Sequence, residues 1–155
     1  MNVQKNEKGF TIIEVVLVLA IAALIFLMIF VALPALQRNQ ANGARKNDVG
    51  VIVSALGTFR TNNRGAAPTT ADQVNKYLDG GLARLENPEF RAKGSGGVTT
   101  TDETSLDKSY VYLSSQCDDD LAQQNTPVPA GSRQQAVVTL IEVTSGSYEA
   151  YCQNS

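Results

Sequence analysis

Residues 8–33 read KGFTIIEVVLVLAIAALIFLMIFVAL, a long apolar run behind a glycine, a phenylalanine and a glutamate. From Val15 to Leu33 nineteen consecutive residues are apolar, which as a helix is about 29 Å long, the thickness of a bilayer's hydrocarbon core. A secretory signal would have a shorter apolar region, about 7–15 residues, ending at a small-residue cleavage site. Here the run passes through Pro34 into a polar, helix-patterned segment. Pro34 removes one backbone hydrogen bond and is expected to kink or loosen the helix there. Glu14 stands at the head of the run, behind Gly9 and Phe10. A charge costs roughly 2.5–3.5 kcal/mol at the centre of a spanning helix and less towards its end, so a carboxylate at this place is expected to serve a purpose.

The rest of the chain narrows the function. A length of 155 residues suits one ordinary domain plus a targeting or membrane segment. There is no histidine, which excludes Ser/His/Asp, Cys/His and HExxH chemistry. A formal charge of −2 offers no continuous basic surface and argues weakly against nucleic acid as the main partner. Nothing in the sequence calls for a cofactor, a metal or a small-molecule substrate. Lys5 and Lys8 precede the span while Arg38, Arg45 and Lys46 follow it, so basic residues do not set its orientation. The two cysteines, Cys117 and Cys152, do. They fit neither a CxxC motif nor a four-ligand metal site, and an even pair suggests one structural disulfide, closing a loop of about 36 residues and contributing about 3–4 kcal/mol. The alternative is two buried thiols in a cytosolic domain; the disulfide reading exports the C-terminal part.

Beyond the span, Val49, Ile52, Val53, Leu56 and Phe59 fall at helical spacing and predict an amphipathic helix that a globular head covers. Gly43, Gly50 and Gly57 recur every seven residues on one side of it. They either admit a neighbouring helix closely or weaken this one by about 1 kcal/mol each for no gain. After the turn-rich stretch TNNRGAAP, a short helix is expected over 71–78, opened by a Thr70/Gln73 capping box. ENPEFRAKGSGG reads as a loop, and strands are expected at 109–114, 135–144 and 147–152, the last two joined by a tight turn at Ser145–Gly146. Asp118 to Asp120 offer carboxylates for Ca²⁺ but lack the spaced D-x-D-x-D-G pattern, and a solvated acidic turn is the plainer reading. The proline-rich NTPVPAGS carries no assigned chemistry.

The segment KGFTIIEVVLVLAIAALIFLMIF closely resembles the class III signal and N-terminal helix of type IV pilins and pseudopilins. The resemblance implies a leader, residues 1–9, with Lys8 and Gly9 at the cut made by a prepilin peptidase, and Phe10 as the new, commonly methylated terminus. It also implies that Glu14 neutralises the Phe10 ammonium of a neighbouring copy, setting the stagger of assembly. A filament-core helix would occupy 10–35, its amphipathic continuation 36–62 and a globular head 63–155. The implied fold is α+β, a ladle in which a long helix packs on a small C-terminal antiparallel sheet with a disulfide near the C-terminus. Two departures stand out: the family's helix-breaking proline usually lies about one turn earlier than Pro34, and its mid-span glycine is replaced by Ala22 and Ala23.

The implied function is that of a structural subunit of a type IV pilus, held in the cytoplasmic membrane with the head outside and then moved into a cell-surface filament. Its partners would be other copies of itself, the peptidase, the assembly platform, minor pilins and, before assembly, lipid. The alternatives are a pseudopilin of a type II secretion system, a minor pilin, or a single-pass anchored extracytoplasmic binding domain that never polymerises.

Overall fold

The computed structural model describes residues 9–78, 80–100, 103–118, 120 and 126–155. The chain divides into two compact units, 1–37 and 38–155, and one helix, α1 (Ile12–Asn62), contributes to both. The first unit is the apolar part of that helix. Thr11 starts it: its Oγ1 accepts from the Glu14 N–H at 3.3 Å, and its carbonyl accepts from the N–H groups of Glu14 and Val15, supplying partners to donors that the first turn otherwise leaves free. Helical structure continues through Pro34. Every large apolar side chain from Phe10 to Leu36 is exposed, Phe10 at 84% and Ile12 at 86%. So long an apolar surface is stable only against lipid or another protein.

The second unit is α+β. Its four-stranded sheet has the order β1-β2-β5-β6, formed by β1 (Glu89–Arg91), β2 (Ser109–Leu113), β5 (Gln135–Thr144) and β6 (Ser147–Asn154). Alternation of side chains across the pleat gives the sheet two different faces. Val111 and Val137 point to α1, where they close over Val49, Ile52, Ala55 and Leu56 together with Val74 and Leu85. Tyr110, Tyr112, Ala136 and Val138 point the other way and are covered by Val98 and Leu106. The helical stripe expected from the sequence is therefore the core face. Val49, Ile52 and Leu56 are wholly buried, Val53 is partly so, and Phe59 meets Tyr77 edge to face with ring centroids 6.0 Å apart.

Strand β5 has the expected bounds, β2 ends one residue earlier than expected, and β6 runs two residues further. Gly146 closes the β5–β6 turn with φ +79°, a conformation that L side chains rarely adopt. Two expectations need correction. The segment read as a loop over 86–97 contains β1, which pairs with β2 in parallel, Phe90 opposite Val111. The sheet is therefore antiparallel only at its β2–β5 and β5–β6 pairs. Side-chain anchoring makes so short a strand possible: Phe90 packs against the core, and the Arg91 guanidinium lies 4.0 Å from the centre of the Tyr110 ring. The helix expected over 71–78 is shorter, α2 (Ala71–Asn75). Gln73 Oε1 accepts from the N–H groups of Thr69 and Thr70 at its start, and i to i+3 bonds from Tyr77 and Leu78 tighten and end it.

Two further pieces complete the unit. Strands β3 (Ser115–Gln116) and β4 (Val128–Pro129) form a small separate sheet, so the proline-rich stretch does contribute pairing. Cys117, just after β3, is bonded to Cys152 in β6, with Cα atoms 5.8 Å apart. Replacing both cysteines by serine is expected to lower the stability of this unit by about 3 kcal/mol, from the entropy regained by the unfolded chain. Thermal or urea unfolding of oxidised wild type against the double variant is the check, and equal midpoints would show that the bridge is mechanically idle.

Candidate functional site

Glu14 is the only ionisable side chain between Phe10 and Gln37. One turn of helix places it on the same face as Phe10 and Val18, and with Val15 and Leu19 these residues border a hollow of about 370 Å³ whose walls are otherwise apolar. A cationic group seated there would meet the carboxylate and nothing else polar. Gly9 and Phe10 are exposed, as a protease substrate must be; Lys8 and the rest of the leader lie outside the described residues. The sequence Thr11-Ile12-Ile13-Glu14 also has the spacing of a capping box, a reading that sequence analysis missed. Thr11 does cap the helix, so its hydroxyl faces the Glu14 amide.

A second group of charges was missed altogether. Arg45 and Asp48 are 2% and 3% exposed on the core side of α1. Asp48 Oδ1 accepts from the N–H of Ala83 at 2.9 Å, and its Oδ2 from those of Arg84 and Leu85 at 2.6 and 2.8 Å. Three successive amides of one loop thus converge on a single carboxylate. Arg45 donates through Nε and Nη2 to Asp107 Oδ1 at 3.1 and 2.9 Å, and through Nη1 to Asn42 Oδ1. Asn42 in turn brackets Glu142, donating to its carbonyl at 2.7 Å and accepting from its N–H at 3.0 Å, much as another strand would where β5 outruns β2. The signal was present in the sequence. Arg45 and Asp48 continue the spacing of Val49, Ile52 and Leu56 along the buried face, so a charged residue at either place had to find a partner.

On the outer face of the sheet, Arg91 and Tyr112 form a clasp. The Tyr112 hydroxyl donates to the Gly96 carbonyl at 3.0 Å and lies 3.3 Å from Arg91 Nη1. Burial pushes the Tyr112 phenol above its ordinary pKa, against the lowering effect of the Arg91 charge. The acidic turn is only partly in view: the Asp120 N–H donates to Asp118 Oδ1 at 3.0 Å, and Asp119 lies outside the described residues. Among the described residues, no group of His, Cys, Asp and Glu side chains is arranged to hold a metal.

Gly43, Gly50 and Gly57 have no packing role inside the chain, since a methyl group at each would meet nothing within 4 Å. Gly50 borders an open groove of about 580 Å³ between Ser54 and Thr58 of the helix and Tyr77 and Gln153 of the surrounding unit. Alanine at any of the three is expected to stabilise the detergent-solubilised chain by about 1 kcal/mol through helix propensity. Unfolding midpoints measure this, and a loss of stability would show a close approach that the free chain does not reveal.

Comparison with known proteins adds one result. No curated protein and no solved structure matches the chain significantly. The family profile described as the prokaryotic N-terminal methylation motif matches residues 4–30, which include Lys8, Gly9, Phe10, Glu14 and the greater part of the apolar run. The motif implies processing by prepilin peptidase and assembly into pilus-like filaments. Residues 4–30 thus match the class III signal of type IV pilins, within a long apolar helix, and the match supports a precursor of the type IV pilin or pseudopilin kind.

Proposed function

We propose that this chain is a structural subunit of a type IV pilus. In this reading prepilin peptidase cuts after Gly9, with Lys8 and Gly9 at the recognised junction, and Phe10 becomes the methylated amino terminus. Residues 10–35 are held in the cytoplasmic membrane until assembly and then form the filament core; 36–62 continue the helix, and 63–155 form the head outside the membrane. The observation that carries the reading is a juxtaposition: the methylation motif coincides with the first half of α1, residues 12–37, whose apolar surface is uncovered and whose single charge is Glu14.

The mechanism follows from electrostatics. Cleavage creates an α-ammonium on Phe10, and an unpaired charge is costly in a medium of low dielectric, whereas an opposite charge nearby is strongly attractive. Glu14 of one copy and the Phe10 amine of the next satisfy each other only at one stagger. Such contacts are heterologous and do not close, so they generate an open helical filament. The platform and minor pilins would initiate what these contacts propagate. The role is structural and not enzymatic.

The test is composition of the sheared surface fraction. A pilus subunit should be its main component. A pseudopilin or minor pilin, which shares the signal, should stay mostly with the membrane, and a plain anchored binding domain should be missing from the filaments altogether.

A further inference from the structure

The four-stranded sheet ends differently on its two sides. At one edge β1 is three residues long and follows Pro88, a length and a residue that discourage further pairing. At the other, β6 runs for eight residues without a proline and with one charge, Glu149. The register pairs Gln153 with Val137, Tyr151 with Thr139 and Glu149 with Ile141, and the Ser155 N–H continues this ladder by donating to the Gln135 carbonyl at 2.9 Å. Bonds between antiparallel strands fall at every second residue. Glu149, Tyr151 and Gln153 therefore bond to β5, while Ala150 and Cys152 turn their N–H and C=O groups to the open side. Among the described residues, nothing bonds to these outward groups of Ala150 and Cys152.

Charge selects what could pair there. Glu149, Tyr151 and Gln153 alternate on the face of β6 that looks to α1, with Tyr151 against the core cluster, and Tyr148, Ala150 and Cys152 lie on the other face. Exposed Lys46 of α1 holds its ammonium 5.1 Å from the centre of the Tyr151 ring. Lys46 also borders the groove beside Gly50, in which, among the described residues, it is the one cation and no carboxylate takes part. An anion carried by a chain lying along β6 suits that place, and a second copy supplies one. When two β6 strands pair antiparallel about Ala150, the two alanines exchange both backbone bonds and Glu149 of one copy falls opposite Tyr151 of the other. That position is next to the other copy's Lys46. The two-fold repeats the contact, so each carboxylate meets an ammonium, and the small side chain of Ala150 at the centre lets the strands approach.

We propose that the open edge of β6 is a docking surface for a second copy of this chain, two heads joining through antiparallel β6 strands into one continuous sheet fastened by reciprocal Glu149–Lys46 ion pairs. Copies along a helical filament are related by a screw and never by a pure two-fold. The contact therefore joins copies that are not neighbours in one filament. It goes beyond the pilus reading and does not depend on it.

Analytical ultracentrifugation of the full chain in detergent tests this, together with carbodiimide crosslinking of mixed isotopically heavy and light copies. The wild type is expected to dimerise as its concentration rises and to give a Lys46–Glu149 crosslink between a heavy and a light chain. Lys46→Glu and Glu149→Lys should each weaken the dimer by roughly tenfold, because two attractions become two repulsions, and the double exchange should restore it. Ala150→Pro should abolish the dimer and spare the β5–β6 ladder, since the N–H it removes faces the open side. The charge exchange leaves the strand backbone untouched, so it decides the matter even where proline distorts β6. A wild-type chain that is still monomeric at roughly 100 μM overturns the proposal. So does a dimer that both single reversals leave unchanged, which would place its contact in the apolar helix.

Discussion

Replacing Glu14 by glutamine is expected to reduce sheared filaments by about a hundredfold while leaving mature, membrane-bound subunit at its normal level. The expectation combines two opposite effects. In the bilayer the substitution is favourable, since a neutral amide is cheaper to bury than a carboxylate. In the filament it leaves the Phe10 ammonium buried without a counter-charge, a loss of the order of 3 kcal/mol per subunit contact, which is about two powers of ten in an association constant. Glutamine also serves well at the third position of a capped helix, and the Thr11 hydroxyl bonds the backbone amide of residue 14 and not its side chain. Helix initiation is therefore preserved, and the experiment isolates the charge. Glu14→Asp should fall between the two, with the charge retained but drawn back by one methylene. Wild-type filament yield from Glu14→Gln would mean that the carboxylate and the amine do not pair.

The second large effect concerns the head. Asp48→Ala is expected to cost about 3 kcal/mol and to lower the unfolding midpoint of the second unit by ~10 °C. The alanine leaves the amides of Ala83, Arg84 and Leu85 without the acceptor they now share, the last of them in a buried setting. Asp48→Asn keeps one oxygen and turns the other into a donor facing amide donors, so it should be little better than alanine, whereas Asp48→Glu should recover part of the loss. Calorimetry or thermal circular dichroism on the detergent-solubilised chain measures the series. A shift of under a degree or two for Asp48→Ala would show that the loop finds water as easily as it found the carboxylate.

The sequence was most readable where one physical signal acted alone. The apolar run needed only length, and β5 with β6 needed only alternation and a turn glycine, so their bounds lie within two residues of expectation. β1 was missed because three residues among Pro88, Lys93 and Gly94 are too few to show a period. What holds β1 in place is a parallel partner twenty-one residues further along and an aromatic face for Arg91, neither of which is a local property. Asp48 was missed for a related reason. Its partners are backbone amides 35 to 37 residues away, and backbone amides leave no mark in composition. The helical spacing of Val49, Ile52 and Leu56, carried back one residue further, would have put Asp48 on the core face; the identity of its donors required the fold. Glu14 was conspicuous in the sequence because a charge beside a membrane-length apolar run has few bland explanations, though its place at the third position of a Thr11-capped turn emerged only with the helix start.

The central claim is that the chain is a processed, filament-forming subunit, and the most direct measurement is the intact mass of the protein extracted from the membrane of cells that make prepilin peptidase. A single species lacking Met1 to Gly9, beginning at Phe10 and carrying the mass of one added methyl group, is expected. A protein that keeps its first nine residues in the presence of active peptidase would contradict it.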